Sequence, residues 1–128
     1  MKIALALIGA ASALVLALPA PAAQAAPDPP GDGSCFLTRD MRNHTVGGDH
    51  TLYFDVNGRS VWRAEMSNNC LAGATSSDPI ILRDRAGMGR ICHKLDLDVG
   101  VRGNRCIVDS LTKLTPAEVA ALPRKMKP

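Results

Sequence analysis

The chain reads as mostly β: a small antiparallel barrel or rolled sheet of about six strands, with a short C-terminal helix and two disulfides. Three observations predict this. Leu52, Phe54 and Val56 alternate with Thr51, Tyr53 and Asp55, the period of two that a half-buried strand needs. Leu95, Leu97, Val99 and Val101 repeat the alternation against Lys94, Asp96, Asp98 and Gly100. Four cysteines, Cys35, Cys70, Cys92 and Cys106, stand far apart, as cross-links in a small sheet do.

The first segment is not part of that sheet. Lys2 precedes an apolar run of 16 residues, Ile3 to Leu18, and Ala23-Gln24-Ala25 follows two prolines. That order is a secretory signal peptide, expected over residues 1–25. A spanning helix needs roughly 20 apolar residues, so cleavage is expected, with no stable membrane insertion afterwards. Asp32-Gly33-Ser34 before Cys35 is not the Leu-small-small triplet of a lipid-attachment site. The product is therefore expected in the periplasm or outside the cell. Removing 25 of the 128 residues leaves 103, one domain at most. Its formal charge falls from +3 to +2, which excludes a strongly basic nucleic-acid binder of the usual kind.

Residues 26–33 hold three prolines and two glycines and read as a flexible leader. A single domain over residues 34–122 follows, then a basic, mobile tail over 123–128. Phe36 and Leu37 suggest an opening strand, and Gly47-Gly48-Asp49 a loop. Residues 51–66 form a hairpin: Asn57-Gly58 suits a type I′ turn, and Trp62, Ala64 and Met66 share a face of the second strand. Ile80-Ile81-Leu82 is consistent with a short buried strand. Gly103-Asn104 supplies the next turn, and Cys106-Ile107-Val108 begins the returning strand. Thr115, Pro116 and Glu118 cap a closing helix that Pro123 stops.

An even number of cysteines in a short exported chain reads as two structural disulfides. No two cysteines lie closer than 14 positions, so a zinc site built on Cys-x-x-Cys is the weaker reading. In a simple up-and-down meander, Cys35 and Cys92 fall at one end and Cys70 and Cys106 at the other, which favours those two pairs. Cys92 has the opposite parity from Leu97 and Val99, so it either points outward or follows a bulge near His93.

The cysteine and strand pattern resembles an uncharacterised family of small exported proteobacterial proteins, a domain of unknown function. The likeness rests on Cys35 opening the domain and on an Arg-rich segment through Arg42. It continues through Thr51-Leu52-Tyr53-Phe54, Cys70 after the Trp62–Met66 strand, Cys92, and Cys106 in the last strand. It covers most of residues 34–122. The family's Cys-Pro-Gly-Leu turn reads Cys70-Leu71-Ala72-Gly73 here. The resemblance implies neither an activity nor site residues.

Candidate chemistry is sparse. His44, His50 and His93 with Asp49, Asp96 or Asp98 are the only metal-site candidates, and their spacing fits two loop histidines and one strand histidine as well. Ser110, His93 and Asp109 make a nominal nucleophilic trio without a Gly-x-Ser-x-Gly turn. Four aromatic residues, Phe36, Tyr53, Phe54 and Trp62, are few for stacking on single-stranded nucleic acid, and two of them, Phe54 and Trp62, are committed to the core face. Arginine is the asymmetry, with ten Arg against four Lys after residue 25. Arg59, Arg63, Arg83 and Arg85 are candidate anion-binding residues, because a guanidinium fork grips carboxylate or phosphate in two places. The expected function is a non-enzymatic binding module without cofactor or metal, meeting an envelope component or acidic protein through that patch or through loops 43–50 and 71–79. Alternatives are a secreted enzyme inhibitor presenting Ser67–Pro79 and a small metal-dependent hydrolase.

Overall fold

A computed structural model describes residues 35–128. The expected signal peptide and leader, residues 1–33, lie outside the described residues. Nine strands form where six are expected: β1 (Phe36–Leu37), β2 (Met41–Val46), β3 (Thr51–Val56), β4 (Ser60–Met66), β5 (Ile80–Asp84), β6 (Arg90–Ile91), β7 (Leu97–Val101), β8 (Asn104–Cys106) and β9 (Val108–Lys113). One short helix, α1 (Pro116–Ala121), follows. The strands pair antiparallel in three sheets ordered β2-β3-β4-β9, β5-β7-β8 and β1-β6. They do not close into a barrel.

The reason lies at Ile107. β8 and β9 are almost one strand, yet β8 pairs with β7 while β9 pairs with β4. Between them Ile107 turns outward, its N–H given to Asn68 Oδ1 at 2.9 Å and its carbonyl accepting from Ser67 N at 2.9 Å. A register shift between Glu65 and Met66 takes up the bend. A strand that changes sheets at a bend makes a corner between two packed layers instead of continuing round a barrel.

The core lies between those layers. Leu52, Phe54, Trp62, Ala64 and Met66 face it from one sheet, and Leu97, Val99, Val101 and Cys106 from the other. Phe36 joins them, its ring centroid 4.8 Å from Trp62 and 5.5 Å from Phe54. The β3–β4 hairpin forms as the alternation predicts, with positive φ at Asn57 and Gly58, and Arg59 as a third loop residue before Val56 pairs with Ser60.

Several expectations change. β2 is a strand although its middle is polar, so residues 43–46 of the expected 43–50 loop lie in the sheet. It is held as an edge strand by β3. β5 is also an edge strand, with Ile81 49% exposed instead of buried. β7 starts at Leu97, because a 3-10 turn over Lys94–Asp96 breaks the alternation and leaves Leu95 65% exposed. That turn, not a bulge, accounts for the parity of Cys92.

The tail is not a free basic end either. Arg124–Met126 forms a 3-10 turn that contacts β2. Thr45 and Tyr53 point away from the core by parity yet are buried, and the Arg124–Met126 turn lies against β2, the strand that carries Thr45. Gly47 lets Tyr53 pack so closely: a Cβ there would sit 2.6 Å from the ring. Helix α1 starts where predicted, with Thr115 Oγ1 accepting from Glu118 N and the Glu118 carboxylate accepting from Thr115 N at 2.7 Å. Thr115's N–H and hydroxyl, and more weakly Arg63, hold the Glu118 carboxyl below its ordinary range.

The disulfides join Cys35 to Cys92 and Cys70 to Cys106. The meander used to favour those pairs is absent. Cys35 and Cys92 instead extend the β1–β6 register, one step beyond Phe36 opposite Ile91. Cys70–Cys106 ties the loop after β4 to the end of β8, and so staples the two main sheets. Such cross-links belong to an oxidising compartment. Among the described residues, no helix is long and apolar enough to cross a membrane.

Asp84 organises the β5–β6 connection. Its carboxylate accepts from Ala86 N and Gly89 N. Partial burial works against its charge, but N–H groups of Ala86, Gly89, Met88 and Arg90 outweigh it and lower its pKa. A carboxyl with a depressed folded pKa stabilises above its unfolded value, about 3.9, and loses that contribution as pH falls through the folded value. Asp84→Asn is therefore expected to destabilise the protein at pH 7. The gap to wild type should close below about pH 4, read by denaturant melts across pH.

Candidate functional site

Charge gathers on the outer face of the β5–β7–β8 sheet. The register sets Ile81 opposite Gly100, Arg83 opposite Asp98, and Gly100 opposite Arg105. Side chains alternate across a strand, so Ile81, Arg83, Asp98 and Arg105 share the face away from Val99, Val101 and Cys106. Arg105 Nε donates to Asp98 Oδ1 at 3.2 Å, and Arg85 Nη2 lies 3.8 Å from the same oxygen. Arg83 stands beside them on β5. Two guanidinium groups thus share one carboxylate, and a third stands at the register position opposite it.

Asp98 does not neutralise them. The local sum is three positive charges against one negative, and the Arg85 and Arg105 side chains are 51% and 68% exposed. Exposed ion pairs of this kind contribute about 0–1 kcal/mol each, so little holds the forks to Asp98. Most of their N–H donors face water, in the planar geometry that carboxylate or phosphate accepts. Ile81 and Ile107, both exposed, flank the cluster. The face therefore combines basic forks with apolar contacts on a disulfide-braced sheet.

Of the four arginines singled out in the sequence, Arg83 and Arg85 come together here. Arg59 and Arg63 belong to the other sheet. Arg59 is the last residue of the β3–β4 turn. Arg63 lies on β4, its Nε 3.3 Å from Glu65 Oε1 in an ion pair that lacks hydrogen-bond geometry. It also acts on Glu118, so it serves the covered face. Arg105 is the residue that sequence reasoning missed. The signal was the turn: positive φ falls on Arg102 and Gly103, one position before the expected Gly103-Asn104. That one-position difference moves every cross-strand partner by two, and only the observed register puts Arg105 opposite Gly100 and beside Asp98.

The histidines are held apart. His44 Nε2 lies 3.1 Å from Asp78 O, His50 Nδ1 lies 3.1 Å from Met66 O, and His93 Nδ1 lies 3.3 Å from Asp96 Oδ2. Among the described residues, no group of three His, Cys, Asp or Glu is placed to hold a metal ion. Ser110 sits on β9 opposite Glu65 while His93 partners Asp96, and among the described residues no hydrogen bond or ion pair joins the nominal trio.

The 71–79 loop is pinned at several points. Arg102 Nη1 donates to Gly73 O at 2.9 Å, and Asp78 accepts from Thr75 N at 2.7 Å. The Asp78 carboxyl is lowered by Thr75's N–H and hydroxyl, with Arg102 adding to the effect. No family model, curated protein or solved structure matches the chain.

Proposed function

We propose that the protein is an exported, non-enzymatic binding module, active in the periplasm or outside the cell, whose arginine face takes an acidic partner from the cell envelope. One observation carries the reading: Arg85 and Arg105 pair with a single Asp98, and Arg83 stands opposite it, on an exposed sheet face. Two disulfides make the scaffold rigid, which lowers the ordering cost of binding. A secreted inhibitor is the second reading, favoured by the 71–79 loop, which is tied at Cys70 and pinned by Arg102.

Retention on immobilised polyglutamate tests the first reading. R83Q/R85Q/R105Q is expected to weaken binding roughly 10–100-fold at low salt, at about 0.5–1 kcal/mol for each exposed pair. D98N is expected to tighten it, since it frees the Arg85 and Arg105 forks and removes the one negative charge beside Arg83. R59Q/R63Q should lose less. Equal losses for the two arginine sets, or no gain for D98N, would reject the arginine face as the contact.

A further inference from the structure

Apolar exposure is not spread evenly over the domain. Among the described residues, the large apolar side chains left exposed are Ile81, Met88, Leu95 and Ile107. None stands on β2, β3, β4 or β9; all four belong to the β5–β7–β8 sheet or to the turns that adjoin it. Ile81 shares the outer face with the arginines, and Gly100 puts no side chain between it and Arg105. Ile107, one step beyond Cys106 opposite Val99, comes level with Asp98. Met88 and Leu95 sit on connections at the end where β5 leaves the sheet and β7 enters it, joined there by Arg85 N donating to Asp96 O at 2.8 Å. Apolar residues scattered singly over a surface are ordinary, but four gathered about one basic sheet mark a contact.

We propose that this face docks on an anionic lipid bilayer, reversibly and without spanning it. The inference rests on the arginine face being the contact, and names what that face meets. Charge complementarity carries it. Arg83, Arg85 and Arg105 stand against one Asp98, and a leaflet of anionic phospholipid is a plane of phosphates, each able to accept two N–H bonds from a guanidinium fork. The aliphatic side chains then enter the boundary between headgroups and acyl chains, where buried apolar area adds to the electrostatic attraction. An acidic polysaccharide offers them no such place. A peptide adding as a strand is poorly served too, because it needs free backbone groups at a sheet edge. At β8, Asn68 Nδ2 already donates to Arg105 O at 3.0 Å, and Asn68 Oδ1 accepts from Ile107 N at 2.9 Å. With so few groups the attachment is weak and falls with salt.

Cosedimentation of the exported protein with vesicles of equal parts phosphatidylglycerol and phosphatidylcholine is the test, with pure phosphatidylcholine vesicles and immobilised polyglutamate alongside. Binding is expected to the anionic vesicles and not to the neutral ones. R83Q/R85Q/R105Q should weaken it roughly 100-fold, about fivefold for each arginine. I81S/I107S should weaken vesicle binding roughly tenfold while leaving retention on polyglutamate unchanged. M88S/L95S alters two exposed turn positions and gives the same contrast should the first pair disturb the sheet, which near-ultraviolet circular dichroism reports. Retention on polyglutamate without binding to anionic vesicles overturns the bilayer and leaves an acidic protein as the partner of the arginine face. Binding to neither rejects the arginine face itself. Vesicle binding that ignores both apolar pairs also overturns the proposal, because headgroup charge alone then accounts for it.

Discussion

Removing the Cys70–Cys106 link as C70A/C106A is expected to cost about 4 kcal/mol and to lower Tm by roughly 15–30 °C. The bond spans 36 positions and Cys35–Cys92 spans 57. Because closure entropy grows with the logarithm of loop length, the chain-entropy model separates the two by less than about 1 kcal/mol. Position decides the order. Cys70 and Cys106 are buried in the core, and their loss removes packing as well as the constraint. Cys35 and Cys92 are partly exposed and link two-residue strands. C70A/C106A should therefore be at least as damaging as C35A/C92A despite its shorter loop. Guanidinium unfolding of both variants, with reduced wild type as the limit, checks this. A much larger cost for C35A/C92A would mean that the sheet corner is not where the disulfides act.

That corner also marks the limit of what the sequence discloses. The β3–β4 hairpin was legible because Leu52, Phe54, Val56, Trp62, Ala64 and Met66 keep one parity around Asn57-Gly58. The switch between β8 and β9 was not. Cys106 and Val108 both turn inward, so the side-chain period runs unbroken through Ile107 while the backbone changes partners. Alternation reports which face is buried, never which strand lies alongside. β2 was hidden for another reason: Arg42, Asn43, His44 and Thr45 carry no apolar alternation, and tertiary pairing overrides weak propensity at an edge. The arginine cluster was half legible. Composition pointed to Arg83 and Arg85, but Arg105 reaches Asp98 only through a register fixed by a two-residue turn.

Phe54→Ala is expected to destabilise the protein by about 3–5 kcal/mol, the range for emptying a fully enclosed phenylalanine site. The Phe54 side chain is fully buried among the sheet residues that face one another, and its ring tilts against Phe36. The site cannot collapse easily. Trp62 lies opposite it on β4, Phe36 is tied through the neighbouring Cys35–Cys92 bond, and the sheets are held at the Cys70–Cys106 corner. A braced wall leaves more of the cavity open, which puts the cost toward the upper end of the range. Ile81→Ala provides the contrast: it removes an apolar aliphatic group from an exposed edge and should change stability by no more than about 0.5 kcal/mol. Phe54→Ala together with C70A/C106A would remove at most about 7–9 kcal/mol, the sum being an upper limit because the site can relax once the corner is unlinked. Domains of this size hold roughly 5–15 kcal/mol, so the combined variant should lose its near-ultraviolet circular dichroism or keep only a narrow margin. A Phe54→Ala cost near that of Ile81→Ala would show that the two sheets do not enclose a common core, and the rigid platform behind the arginine face would fail with it.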